Sequence, residues 1–248
     1  MTDITLPMVS KTRRVTFYIL VGLWLLIQIY ASGFAFPYLP SVLVGWFQPE
    51  FSEYMIGGAG NCVLLAALIS QLYKPESNVA GVQMLIIMIT TSTIGSLIDG
   101  SYGWFLLMFW AIFGGIILLH PRRQDILRFG RPSNLELLAL VGLAAVPVFI
   151  YVFNLWNLSF TTGDLSYSSH ANIATDMFLY GLLASFKTSG WRVPAWSAGF
   201  LAIVYGLTSL VYPELISSVS MLWGILATVW GLVFIGVAEW KRRQECEA

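Results

Sequence analysis

Asp176 stands inside an apolar run, residues 171–186, with Asn172 four residues before it and Tyr180 four residues after it. Spacing of i, i+4 and i+8 puts the three side chains on one face of a helix. An ionised Asp at the centre of a membrane helix costs about 2.5–3.5 kcal/mol, and less near the interface. An amide and a phenol on its own face would supply hydrogen bonds, and an intramembrane acid with partners is the kind of group that carries protons or cations. Counted from the start of the run, Asp176 lies about five residues in, roughly 8 Å from the outer end at 1.5 Å per residue. The competing reading starts the helix later and leaves Asp176 in water as an end cap.

Further polar residues are candidates for chemistry. His170 precedes the run and, with Asp164 and Asp176, would form a metal or proton site at the outer face. As a lone interfacial histidine it would be structural. His120 falls at the opposite face, so the two histidines cannot ligate one metal. Asn61 and the run Thr90, Thr91, Ser92, Thr93 would line a solute path, or would simply join helices by hydrogen bonds worth about 0.6 kcal/mol each. Ala198, Ala202 and Gly206, and likewise Ala227 and Gly231, form small-residue stripes that read as close helix contacts. Two cysteines, Cys62 in a span and Cys246 in the tail, exclude a disulfide framework and a Cys-rich zinc site. No phosphate loop, nucleophile elbow, metalloprotease or dinucleotide motif occurs. No span contains Lys, which excludes a retinal Schiff base. Nothing in the sequence asks for a cofactor or a metal.

The elements that must hold these residues are membrane spans. The chain of 248 residues is 57% hydrophobic and 10% charged, where soluble domains carry about 25% charged residues. Apolar stretches fall at 15–34, 55–73, 79–98, 104–119, 137–153, 171–186, 193–211 and 218–238. Several approach the 20 or so residues that a span requires. Period-2 patterning is absent, so they are helices. The fold expected is an all-α integral membrane protein, an eight-helix transmembrane bundle.

All thirteen Lys and Arg fall in alternate connections: 11–14, 74, 122–131, 187–192 and 241–243. The intervening connections hold acids and no base. Translocating Lys and Arg is disfavoured, so the basic side is cytoplasmic and both termini lie there. That places 13 bases and 7 acids inside, against 6 acids outside. The expected location is the cell membrane, with anionic lipid headgroups as partners of the inner face. Nucleic acid is a poor partner, because the Arg clusters sit where topology already requires them. A homo-oligomer or a membrane complex partner is left open. The first span, behind Lys11, Arg13 and Arg14, is longer than a signal-peptide core and is expected to be retained. Trp46, Trp104 and Trp156 mark the outer interface, and Trp191, Trp196 and Trp240 the inner one. Between spans one and two, residues 37–49 carry apolar residues at helical spacing between prolines, a short interfacial helix or an apolar loop packed on the bundle. Between spans five and six, residues 161–169 are polar and expected to be a solvated loop beside the sequon 157–159.

The chain divides into residues 1–120, a cytoplasmic linker 121–136, and residues 137–248. Each half has four spans, a long first outer loop and a basic end. Leu20-Val-Gly-Leu recurs at Leu140, Ser96-Leu-Ile recurs as Ser209-Leu-Val, and Trp110 with Arg122-Arg123 recurs as Trp230 with Arg242-Arg243. Four spans per half would make the halves parallel repeats about an axis normal to the membrane. Leu39-Pro-Ser-Val-Leu-Val-Gly-Trp46, followed by the Gly-rich second span with Gly57, Gly58 and Gly60, resembles the DoxX-like four-helix membrane proteins. That resemblance implies a small accessory subunit of a membrane redox or assembly system. Where the DoxX-like plan often has an acid in its second span, this chain has Asn61. Three functions are therefore expected, in this order: a non-catalytic accessory or scaffold protein; a small-solute or proton-coupled transporter using Asp176; and a membrane redox or metal protein with a site at His170.

Overall fold

The structure is a computed structural model and describes residues 10–33, 52–101, 103–128, 134–215 and 218–247. The segment 37–49, Trp46, Arg131 and the 39–46 part of the DoxX-like resemblance lie outside these residues. Among the described residues all regular structure is helical. The elements are α1 Lys11–Gly33, α2 Ser52–Tyr73, α3 Val79–Asp99, α4 Trp104–Leu119, the single-turn α5 Arg123–Ile126, α6 Leu135–Thr162, α7 Leu165–Ser185, α8 Arg192–Val211 and α9 Met221–Glu247. A 3-10 turn, Pro75–Ser77, leads from α2 into α3.

Six helices, α1, α2, α3, α6, α8 and α9, are long and apolar enough to cross a membrane. α4 is apolar but has only 16 residues, about 24 Å at 1.5 Å per residue against a hydrocarbon core of about 30 Å. α7 has the length and lacks the apolarity. Its position explains the difference: it packs against α2, α3, α6 and α8 and buries residues along its whole length. A helix surrounded by protein does not need an apolar surface on every side.

The polar stretch 161–169, expected as a loop, is helical except at a tight turn. Gly163 takes φ 71 at the end of α6, a left-handed conformation that glycine adopts without a Cβ penalty. Asp164 then caps α7 by accepting the Ser166 N–H at 2.9 Å. The sequon consequently lies inside α6. Its Ser159 is buried and donates its hydroxyl to the Asp164 carbonyl at 3.2 Å.

Contacts between sequence-distant segments gather the basic residues at one end. Arg13 caps α4, donating to the carbonyls of Leu118, Leu119 and His120. Arg14 pairs with Glu76, and Arg122 donates to the Glu76 carbonyl. Lys187 pairs with Glu245, Lys241 with Glu136, and Arg192 with Glu239. The halves meet here too: Ala80 N–H donates to Ser189 O at 2.9 Å, and Ser189 Oγ to Ser77 O at 2.7 Å.

Helix packing comes in couples. Exchanging α1, α2, α3, α4 with α6, α7, α8, α9 carries α1–α2 onto α6–α7, α1–α4 onto α6–α9, α2–α3 onto α7–α8, and α3–α4 onto α8–α9. It also carries α3–α7 onto α8–α2, while α2–α7 and α3–α8 map onto themselves, and all these pairs are in contact. The exception is α3 against α6, which α8 and α1 do not reproduce to the same extent among the described residues.

Candidate functional site

Asp176 is 6% exposed. Because α7 begins at Leu165 and not at 171, the carboxyl lies eleven residues into the helix, about 16 Å at 1.5 Å per residue. This corrects the shallower position expected from the apolar run and removes the end-cap reading, which required a later start. Asn172, Asp176 and Tyr180 all line one cavity of about 310 Å³, as their shared helix face implies. α2 contributes Gly57, Gly60, Asn61 and Val63 to its wall, and α3 contributes Met88 and Ser92. The site therefore joins helices of both sequence halves.

The carboxylate's partner differs from the expected ones. Thr91 Oγ1, on α3, lies 2.6 Å from Asp176 Oδ1, and among the described residues no other group is hydrogen-bonded to the acid. Tyr180 directs its hydroxyl instead toward the Met84 carbonyl at 3.5 Å, a long contact. Thr91 Oγ1 is also 2.9 Å from Met88 O and 3.1 Å from Ile87 O. A hydroxyl has one proton and two lone pairs. With Asp176 ionised, Thr91 donates to the carboxylate, and 2.6 Å suits a charge-assisted O–H···O⁻ bond. With Asp176 protonated, the acid donates to Thr91, and Thr91 donates to its own helix. Rotating one hydroxyl satisfies both states without moving a heavy atom.

A glycine beside the cavity sets where Asn172 can sit. A Cβ at Gly95 would lie 2.4 Å from Nδ2 of Asn172, so the bare backbone of α3 is what lets that amide sit against it. A Cβ at Gly57 would meet nothing within 4 Å. Among the described residues no Lys, Arg or His lines the cavity. Asn61, at the wall, is exposed. Of the polar run on α3, Thr91 and Ser92 face the site, whereas Thr90 and Thr93 bond back to Ile86 O and Ile89 O.

His170 is not part of this wall. It is buried within α7, its Nδ1–H donating to Ser166 O at 2.6 Å, and its carbonyl accepts the Tyr205 hydroxyl at 2.7 Å. Among the described residues no three His, Cys, Asp or Glu side chains are grouped closely enough to hold a metal ion, so His170, Asp164 and Asp176 do not form the expected trio.

The lining follows the helix exchange described above. Gly57, Gly60 and Asn61 of α2 stand 112 residues before Ser169, Asn172 and Ile173 of α7. Val63 and Met88 stand 113 residues before Asp176 and Leu201. All ten line the cavity, and 113 is also the offset between the letters at Ser96 and Ser209. Comparison of the chain with protein-family models, with curated proteins and with solved structures gives no match.

Proposed function

We propose that this protein is an eight-span bundle of the cell membrane, built of two parallel four-helix repeats with both termini cytoplasmic, and that it exchanges a small cationic solute for a proton at Asp176. The observation that carries this reading is a buried carboxyl on a cavity wall with no base facing it among the described residues. An ionised acid taken out of water without a counter-charge is strongly disfavoured. Asp176 must then be protonated or face a cation from outside the chain. Proton and cation compete for one carboxylate, which is the coupling an exchanger needs. The Thr91 hydroxyl accepts from the protonated acid and donates, more strongly, to the ionised one, so the exchange requires only its rotation.

The paired lining supports the second part of the reading. A site on the axis between equivalent halves is open to either face when the halves rock about it. Only one member of the Val63–Asp176 pair ionises, so one charge is handled per cycle. An accessory protein without a ligand would leave both the cavity and the unpaired acid without a role.

The test is exchange in liposomes containing the full chain and a trapped pH dye, with external tetramethylammonium as the probe. Wild type is expected to raise the internal pH as the cation enters and protons leave. Asp176→Asn should abolish this, and Asp176→Glu should retain part of it. No wild-type signal, or an unchanged signal in Asp176→Asn, overturns the proposal.

A further inference from the structure

A second cavity, of about 290 Å³, lies between α3 and α4. It shares two wall residues with the first, Met88 and Ser92, one helical turn apart on α3. Its other walls are largely apolar: Ile89 from α3, and Trp104, Leu106 and Phe109 from α4. Phe109 is held in place by stacking on Phe113 and by an edge contact to Trp24 at 5.0 Å. The first cavity holds an acid and several hydrogen-bonding groups; the second is mainly aromatic and aliphatic, with Ser92, Ser96 and Ser101 also on its wall and, among the described residues, no ionisable side chain.

Met88 stands between them. Methionine is unbranched, with three rotatable bonds, and re-packs at little cost. Ligand sites typically span about 300–1,000 Å³. Each cavity alone is at or below the low end of that range, and the two together fall well inside it. We propose that the transported cation is amphipathic: its charged head faces Asp176, and an apolar arm passes Met88 into the cavity between α3 and α4. This rests on the Asp176 exchange reading and adds a substrate class to it.

Gly103 gives the test. It lines the second cavity in an extended conformation, φ −135 and ψ 177, and a Cβ there meets nothing within 4 Å. Gly103→Phe would fill the cavity, and Gly103→Ala would leave it open as the folding control. The probes are tetramethylammonium and benzyltrimethylammonium, which share a head and differ in the arm. Equilibrium binding to the full chain in lipid nanodiscs is expected to favour the benzyl cation by about tenfold or more in wild type and Gly103→Ala, from the apolar area buried. In Gly103→Phe the ratio should fall to about one. Equal affinities in wild type, or a preference that survives Gly103→Phe, overturn the amphipathic substrate and leave the Asp176 site standing. Binding of neither cation overturns both.

Discussion

His120 shows how a single buried side chain ties the stability of the bundle to pH. It is fully buried at the end of α4, where Nδ1 accepts the Arg122 N–H at 3.1 Å. That leaves the proton on Nε2, which donates to Pro75 O at 3.2 Å. Both ring nitrogens are used in the neutral form, and burial, with Arg122 and Arg13 nearby, pushes the imidazole down to about 4. An unfolded histidine titrates near 6.5. Above that value both states are neutral and the contribution is complete. As pH falls from 6.5 to about 4, the unfolded chain takes up a proton that the folded chain refuses, and stability drops by an amount on the order of 3 kcal/mol. Thermal unfolding in detergent should therefore show a melting temperature that declines across this window. His120→Gln should be less stable at pH 7.5 and flatter in pH; the same slope as wild type would remove His120 from the account. At this scale, the face shared by Asn172, Asp176 and Tyr180 was legible from spacing alone. Thr91, 85 residues earlier and on another helix, was not, because a polar run on a helix does not reveal which of its hydroxyls turns inward.

Among the described residues, α8 and α9 form the most extensive helix–helix contact. Gly199 faces Gly231 and Gly206 faces Gly224, in antiparallel register with seven residues between contacts. A Cβ on Gly206 would lie 2.4 Å from Gly224 O and 2.7 Å from the Thr228 backbone nitrogen. Backbone atoms cannot yield as a flexible side chain does, so Gly206→Ala must force the helices apart. Overpacking of this kind costs about 1–3 kcal/mol. The variant is expected to unfold at a lower temperature, while Gly142→Ala, where a Cβ meets nothing within 4 Å, should melt at or a few degrees above wild type and so show the gain from helix propensity alone. Equal melting of the two variants would mean that the seam has slack. The small-residue stripes in the sequence pointed to this seam through Gly206 and Gly231. They missed Gly199 and Gly224, whose period of seven is easily lost among 22 glycines. The helix ends were read less well than the helices: hydropathy ended the fifth span at 153 and began the sixth at 171, whereas α6 and α7 almost meet. Hydropathy measures how apolar a segment is, and both missing pieces are polar helix.

Among the described residues the two halves are linked at both ends, at the far end through the Ser168 hydroxyl donating to Asp99 Oδ2 at 2.6 Å, and the links bear on how exchange would work. At the basic end the halves are stitched together through Ser77, Asn78 and Ala80 on one side and Ser189 and Gly190 on the other. Gly190 takes φ 84 there, and a Cβ on it would lie 2.8 Å from Asn78 Cα, so the crossing is both tight and conformationally demanding. Toward the other end lies the cavity, reaching to Gly57 near the start of α2 and Ser169 near the start of α7. If the halves rock about the Asp176 site, the Ser77–Ser189 crossing is one of the contacts among the described residues that must part for the solute to leave on the basic side. The charge asymmetry was legible in the sequence, but the crossing was not, because it depends on a single glycine and two serines that no hydropathy pattern distinguishes. A disulfide between Ser77→Cys and Ser189→Cys would hold that end shut. Oxidised double mutant in liposomes should lose cation–proton exchange and regain it on reduction, while tetramethylammonium binding in nanodiscs persists in both redox states. Undiminished exchange in the oxidised protein would show that the halves do not separate there and would move the exit path elsewhere in the bundle.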